Sequence, residues 1–472
     1  MKDLREFIEG VKKIGELRTI EGAKWDLEIG AITYLAAENA DPPALLFDKI
    51  EGYPGGYRVF TIPFTTDKRI ALALGLPLES SRMELVKKMR DRWRESPSHL
   101  PPVEVKDGPI MENVHKGDEV DLFEFPTPKW QQLDPGRYIG TGDNVIVKDP
   151  DEGWINVGVY RVQIHDKSTA TIFMEPGRHG NIIRQKYWAK GQSCPVAVIC
   201  GGNPLFVEAG ASYIPWGISE YEYMGWLMKR PVEVIKGPTT GLLIPAYSEI
   251  VLEGEMVPPK VETRLEEPFS EWTKHYVQTG PVPAFKVKCV LHRNDPILLG
   301  RIPFIGRGVA AGLSHVIKAG QLWSELDKVV PGVKGVWSPR EFGGPATVIS
   351  LEQKYGGHAK QAALMALAHM GYMHKYIIVV DDDIDPSNIR EVLWAIGLRA
   401  EPAAFDIIRE CFGGGLDPIL SPYRKAEGDI THSAVIITAC KPYSWIKDFS
   451  PSITTAPELR ERVKEKWGKM LV

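Results

Sequence analysis

Trp154-Ile155-Asn156-Val157-Gly158-Val159-Tyr160-Arg161 is the stretch whose reading decides the fold. Ile155, Val157 and Val159 alternate with Asn156, Gly158 and Tyr160, which is the period of two of a strand with one buried face. In an ideal strand Asn156 and Arg161 point to opposite faces. A bulge at Gly158 is therefore expected, to bring both to one face. Working outward, Asn144 to Val147, Ala170 to Met174, Pro195 to Ile199 and Val232 to Ile235 read as further strands, and strand-like segments return from Ser248 to Leu298. One helix, Glu220 to Met228, interrupts them. Successive short strands with glycine turns predict a barrel-like middle domain.

The flanks differ. Upstream, residues 2–17 place Leu4, Phe7, Ile8, Val11 and Ile14 at helical spacing. Helices over Ala31–Glu38, Arg69–Leu76 and Met83–Trp93 accompany two short strands, Ala44–Phe47 and Tyr57–Phe60. Pro101-Pro102 and the acidic, proline-bearing run Asp118 to Pro128 read as a linker. Downstream, a helix over Val309–Glu325 opens an alternation of helices and apolar strands. The charged amphipathic helix Ala456–Met470 closes it and suits packing on a partner subunit. The expected architecture is α/β (α+β), with an N-terminal α/β region (1–115), a barrel-like centre (116–305) and a C-terminal α/β region (306–472).

Composition narrows the function. The 472 residues exceed one ordinary core, and 43% hydrophobic with 25% charged residues describes a globular chain. A net charge of −4 with no basic block argues against nucleic acid as a partner. No apolar run reaches membrane-spanning length, and Met1 to Glu6 holds no signal core, so a cytoplasmic protein is expected. Five scattered cysteines, none in a CxxC pair, argue against a zinc cage or a disulfide framework.

Leu265-Glu266-Glu267-Pro268-Phe269-Ser270-Glu271 carries the acid/base signal. Pro268 has no N–H and its ring disrupts a helix, so Glu266 and Glu271 should sit on a stiff loop. Acids held near each other separate in pKa, as proton transfer at neutral pH requires. Arg161 offers a planar fork for a carboxylate. His179 lies in the glycine-flanked turn Met174 to Gly180, and Ser219 is placed to cap a helix that begins at Glu220. Asn156, His179 and Glu220 would make an oxygen-and-nitrogen ligand set suited to Mn²⁺ or Mg²⁺. Their spacing alone does not bring them together.

With these motifs quoted, the chain resembles the UbiD-like decarboxylases that depend on prenylated FMN. The order WxN…R, P-x-x-H, P-x-G-x-S-E and an E-G-P-F-G-E-type loop is the same, and the resemblance extends to Val379–Pro386. It implies a split-barrel-like flavin-binding centre and a C-terminal region used in oligomerisation, in a homodimer or homohexamer. It also implies Asn156, His179 and Glu220 as Mn²⁺ ligands that tether the flavin phosphate. Trp154, Gly210, Ser212 and Glu220 would lie around a K⁺ ion, mainly through backbone. Val157, Val159 and Arg178 complete the implied cofactor site, and Arg161, Glu266 and Glu271 match the catalytic network. The implied reaction is reversible, non-oxidative loss of CO₂ from an aromatic, heteroaromatic or α,β-unsaturated acid. Such a loss leaves a carbanion that no side chain can stabilise, so a cofactor must act as sink, supplied here by a flavin prenyltransferase.

The loop departs from that pattern where Glu267 and Ser270 replace glycines. Candidates for the substrate wall are Ala310 to His315 and Ile419-Leu420, with His292, Arg301 and Arg307 to hold a second polar group. Asp381-Asp382-Asp383 after an apolar strand supports a different reading, a Mn²⁺-dependent nucleotide-sugar transferase. A third is a cofactor-binding subunit of a larger carboxylase.

Overall fold

The computed structural model describes residues 1–39, 41–95, 100–212, 214–278, 280–302, 311–453 and 455–471. Alternating apolar residues build a ten-stranded central sheet. Its main path runs Arg137–Gly140, Val162–Ile164, Thr169–Ile172, Pro281–His292, Ile250–Met256, Cys194–Ile199, Asn144–Lys148, Ile155–Gly158. The 12-residue strand Pro281–His292 is its spine. It also pairs with Thr263–Leu265 near one end and Asn113–Lys116 near the other.

The decisive stretch is broken rather than bulged. Ile155–Gly158 lies at one end of the path and Val162–Ile164 beside the other, and only residues 159–161 join them. Three extended residues span about 10 Å. The sheet must therefore curl until its ends meet, which makes a split barrel with Arg161 at the seam. The expected bulge at Gly158 is replaced by this crossing, which solves the same parity problem by changing strands.

The N-terminal sheet is Leu17–Glu21, Ala44–Asp48, Arg58–Thr61 and Ile297–Leu299, so its last strand returns from beyond the barrel. Helix Leu4–Lys13 packs on this layer through Leu4, Phe7, Ile8 and Val11, capped by Asp3, which accepts from the Glu6 amide at 2.9 Å. It stops before the expected residue 17, because the chain turns at Gly15 into a strand that the periodicity did not reveal. The region 118–128 is no open linker: Leu122 and Phe125 are fully buried in the core shared by the barrel and the N-terminal layer.

The C-terminal sheet orders Val333–Trp337, Ala346–Leu351, Tyr376–Asp381, His432–Ala439 and Asp406–Cys411. Helix Ala311–Leu326 joins it to the N-terminal region by packing on Arg82–Arg94. The start of the helix expected from Val309 lies outside the described residues. The final helix, Pro457–Leu471, leaves Leu459, Val463, Trp467 and Met470 exposed. No helix among the described residues is long and apolar enough to cross a membrane.

Candidate active site

Arg161 at the barrel seam meets the loop after Thr263–Leu265. Its Nε donates to Glu266 Oε1 at 2.6 Å and its Nη1 to Glu271 Oε1 at 2.5 Å. Pro268 and the short strand Phe269–Ser270 separate the two acids, as a proline-stiffened turn requires. The guanidinium also lies over the rings of Phe173 and Phe269, at 4.1 and 4.6 Å from their centroids. Arg161 and Glu266 are buried, while Glu271 is 9% exposed and forms the outer edge of the triad. Burial pushes the Glu266 carboxyl up to about 7, against the pull of Arg161. Tyr138, also buried, lies close enough to Glu266 to affect its pKa, and its hydroxyl donates to Gln163 Oε1 at 3.5 Å.

The second cluster forms at the other end of the same stretch. Asn156 Nδ2 donates to Glu220 Oε1 at 2.7 Å, and the Val157 amide donates to Glu220 Oε2 at 2.6 Å. Ser219 caps the helix as expected, accepting from the Tyr221 amide at 3.3 Å. Burial raises the Glu220 carboxyl to about 7. Asn156 Oδ1 is buried without a hydrogen-bond partner among the described residues, an oxygen that a cation would satisfy. His179 is not in a turn. It opens the helix His179–Ala189, and its ring stands edge-on to Trp154 and Trp216, at 5.8 and 5.2 Å. Gly210 gives close passage here: a Cβ would lie 2.5 Å from Asn144 Nδ2 and 3.0 Å from the Val157 carbonyl, beside Val159. Ser212 Oγ donates to the Glu208 carbonyl at 2.8 Å. The donor set and the orphaned amide oxygen fit a hard divalent cation.

Several participants escaped the sequence reading. Asp134 accepts from the Ser270 amide at 3.0 Å and from Ser270 Oγ at 3.2 Å, so a buried carboxylate from a distant loop holds the acid-bearing turn. Losing a buried hydrogen-bond partner costs about 1–3 kcal/mol, so Asp134→Ala is expected to lower kcat about tenfold to hundredfold through a loosened loop. Steady-state kinetics with flavin content held constant would check this. Glu175 is raised by burial, senses Arg178, Glu271 and Arg161, and accepts from Tyr372 of the C-terminal region at 3.4 Å. Arg178 lies 5.5 Å from the Tyr372 ring.

The proposed wall fares differently. Ala310 and Arg307 lie outside the described residues. Gly312 is small because a Cβ there would meet the Phe64 carbonyl at 1.8 Å, so packing and not a substrate ring fills its space. His315 Nδ1 donates to the Ser338 carbonyl at 2.7 Å, and burial lowers the imidazole to about 3. Leu420 is buried and Ile419 exposed. Arg301 is paired with Glu208 at 3.1 Å, and His292 is turned into a separate cluster with Glu124.

With this geometry in place, comparison decides the family. Matches to the 3-octaprenyl-4-hydroxybenzoate carboxy-lyase N-terminal, Rift-related and C-terminal domains cover residues 8–89, 102–305 and 313–439. The chain belongs to the UbiD family. Among UbiD relatives, it is 32% identical to a pyrrole-2-carboxylic acid decarboxylase of Pseudomonas aeruginosa, over 99% of this chain and 97% of that one. It is also 32% identical to a phenolic acid decarboxylase of Sedimentibacter hydroxybenzoicus, over 93% and 92%. The UbiD-class enzyme HmfF from Pelotomaculum thermopropionicum, solved in complex with FMN, superposes with a TM-score of 0.85 at 26% identity, over 97% of this chain and 98% of that one. An evolved dimeric form of HmfF in complex with prFMN superposes at 0.82 and 25%, over 98% of each chain.

Against the UbiD loop pattern, both departures are tied down. Glu267 accepts from the Gly280 amide at 2.7 Å, and Ser270 is the residue that Asp134 grips. The transferase reading falls with the family match and with the aspartates' own partners. Asp383 takes both Arg399 Nη1 and Nη2, at 2.7 and 2.8 Å, while Asp381 accepts from Arg399 at 3.1 Å and the Lys441 amide at 2.7 Å.

Proposed function

We propose that this chain is a reversible, non-oxidative decarboxylase of an aromatic, heteroaromatic or α,β-unsaturated acid, working with prenylated FMN. The observation that carries the reading is Arg161 held between Glu266 and Glu271 at the barrel seam. Relatives named as decarboxylases of pyrrole-2-carboxylic and phenolic acids favour aromatic substrates. Asn156, His179 and Glu220 would hold Mn²⁺, or Mg²⁺, which would neutralise the charge of the flavin phosphate. Backbone near Trp154, Gly210 and Ser212, with Glu220, would hold K⁺. Val157, Val159 and Arg178 line the flavin site. When bound, the prenylated flavin supplies the electron sink that decarboxylation needs.

The chain's own residues do the rest. Glu266 fixes the guanidinium plane of Arg161, which orients the substrate carboxylate. Two acids share one arginine, so a third carboxylate enters favourably only if the pair carries a proton. Glu271, at the outer edge of the triad, is the group placed to deliver a proton to carbon where CO₂ departs. Burial of Glu266 near 7 keeps the proton on the pair at neutral pH.

A direct test is the purified chain, coexpressed with a flavin prenyltransferase and screened against aryl and acrylic acids for CO₂ release. Turnover by the single chain favours a self-sufficient enzyme, and turnover only with added subunits favours the carboxylase-subunit reading. The proton argument predicts a pH profile. kcat/KM for decarboxylation should hold on the acid side of about 7 and fall about tenfold per unit above it, as the pair loses its proton. A profile still rising well above that point would exclude a proton stored on the pair. Glu220→Gln is expected to release flavin and divalent metal together, read as lost flavin absorbance after gel filtration. The exposed apolar side of Pro457–Leu471 suits a subunit contact in a homodimer or homohexamer.

A further inference from the structure

A second polar cluster stands at the end of the strand Pro281–His292 opposite the acid-bearing loop. Asn113–Lys116 and Pro281–His292 run antiparallel with His115 opposite Val290. His115 and His292 are thus diagonal neighbours on one face of the ladder. The turn Leu122–Glu124 brings Glu124 between them. His115 Nδ1 is 3.1 Å from Glu124 Oε2, and His292 Nε2 is 3.3 Å from Glu124 Oε1. Tyr57, beside the N-terminal strand Arg58–Thr61, donates to Oε1 at 3.1 Å. One ligand atom from each of the three residues can be chosen so that all lie within 4.8 Å of one another.

His292 supplies the independent observation. It is 3% exposed, and its Nδ1 lies 2.9 Å from the Arg293 carbonyl. A carbonyl only accepts, so Nδ1 carries a proton and Nε2 keeps a lone pair whenever the ring is neutral; Glu124 beside it favours the protonated ring, whose Nε2 proton a divalent ion would displace. That Nε2 makes no well-aligned hydrogen bond among the described residues, and its one polar neighbour is Glu124 Oε1 at 3.3 Å. An imidazole fixed by a carbonyl on one nitrogen with the other bare is the usual posture of a metal ligand. Tetrahedral zinc with bonds of about 2.0–2.1 Å needs ligand atoms about 3.4 Å apart; the 3.1 and 3.3 Å contacts reach different Glu124 oxygens, and side-chain rotation within the 4.8 Å cluster would bring one oxygen to both imidazoles.

We propose that His115, Glu124 and His292 bind one zinc-class divalent ion where the barrel meets the N-terminal layer, with water or the Tyr57 oxygen in the fourth position. Nitrogen-rich ligation distinguishes it from the oxygen-rich flavin-site cluster.

The test uses the full-length holoenzyme, stripped with chelator and reloaded with Zn²⁺. The wild type should retain one zinc per chain more than His115→Gln, at equal flavin content. Zinc should raise the melting temperature of the wild type and leave that of His115→Gln unshifted. Equal zinc content and equal shifts in both proteins would overturn the site. Should His115→Gln fail to fold, X-ray absorption at the zinc edge of the wild type decides alone. Two imidazoles in the zinc shell support the site, because the flavin cluster offers only His179. One imidazole or none overturns it and leaves the cluster as a plain histidine–glutamate hydrogen-bond network.

Discussion

Glu271→Gln should retain flavin, metal and fold while losing decarboxylation by about 10²- to 10⁴-fold, the range that a positioned acid contributes. The substitution is nearly isosteric, and the introduced amide oxygen still accepts from Arg161 Nη1, which lies 2.5 Å from the native Oε1. The Trp272 amide, 3.1 Å from Oε2, loses a carboxylate acceptor at a partly exposed edge, where water replaces it. Stability should therefore change little. What disappears is the transferable proton. Activity near the wild-type level would mean that Glu271 only positions Arg161, and another donor would be needed. The flavin spectrum of the same sample separates this from cofactor loss. Because the missing step is delivery of a proton, the effect should fall on kcat more than on KM.

How much of this was legible in the chain depends on the range of each interaction. Pro268 forces a turn whatever surrounds it, so the stiff loop between Glu266 and Glu271 could be read directly. The strand period around Val157 was equally plain. The parity conflict between Asn156 and Arg161 was also visible, but its resolution was not. A bulge is the local answer, whereas the crossing at residues 159–161 depends on the curl of the whole sheet. The helix at His179 was hidden because Arg178 makes no side-chain cap and Gly177 and Gly180 read as a turn. Leu205–Gly210, only six residues long, is too short to display a helical period. Asp134 and Tyr138 were out of reach for another reason. Ser270, which Asp134 grips, and Glu266, which Tyr138 lies near, are more than a hundred residues away, and nothing local marks a carboxylate or phenol that will be buried. The pairing of Arg161, Glu266 and Glu271 came from resemblance, and geometry then supplied the distances.

Arg161→Met separates stability from chemistry at the same site. Removing the guanidinium leaves Glu266, wholly buried, without its ion-pair partner. Breaking a buried pair in this way costs about 3–5 kcal/mol. The cost should depend on pH with a definite sign. In the wild type Glu266 titrates near 7, above the ordinary value for a glutamate, so protonation favours the folded state and stability falls as pH rises to that point. Without Arg161 the same carboxyl is raised further, because the attraction that opposed burial has gone. Its stability loss then continues past the point where the wild type levels off. The deficit of the variant should widen to the alkaline side of about 7, read as the difference in melting temperature at two pH values. A second substitution, Glu266→Gln, removes the stranded charge. The double variant should recover much of the lost stability and flatten the alkaline widening, yet remain inactive, since nothing is left to orient the substrate carboxylate. A deficit that stayed constant with pH would place the lost stability in packing against Phe173 and Phe269 instead of in the ion pair.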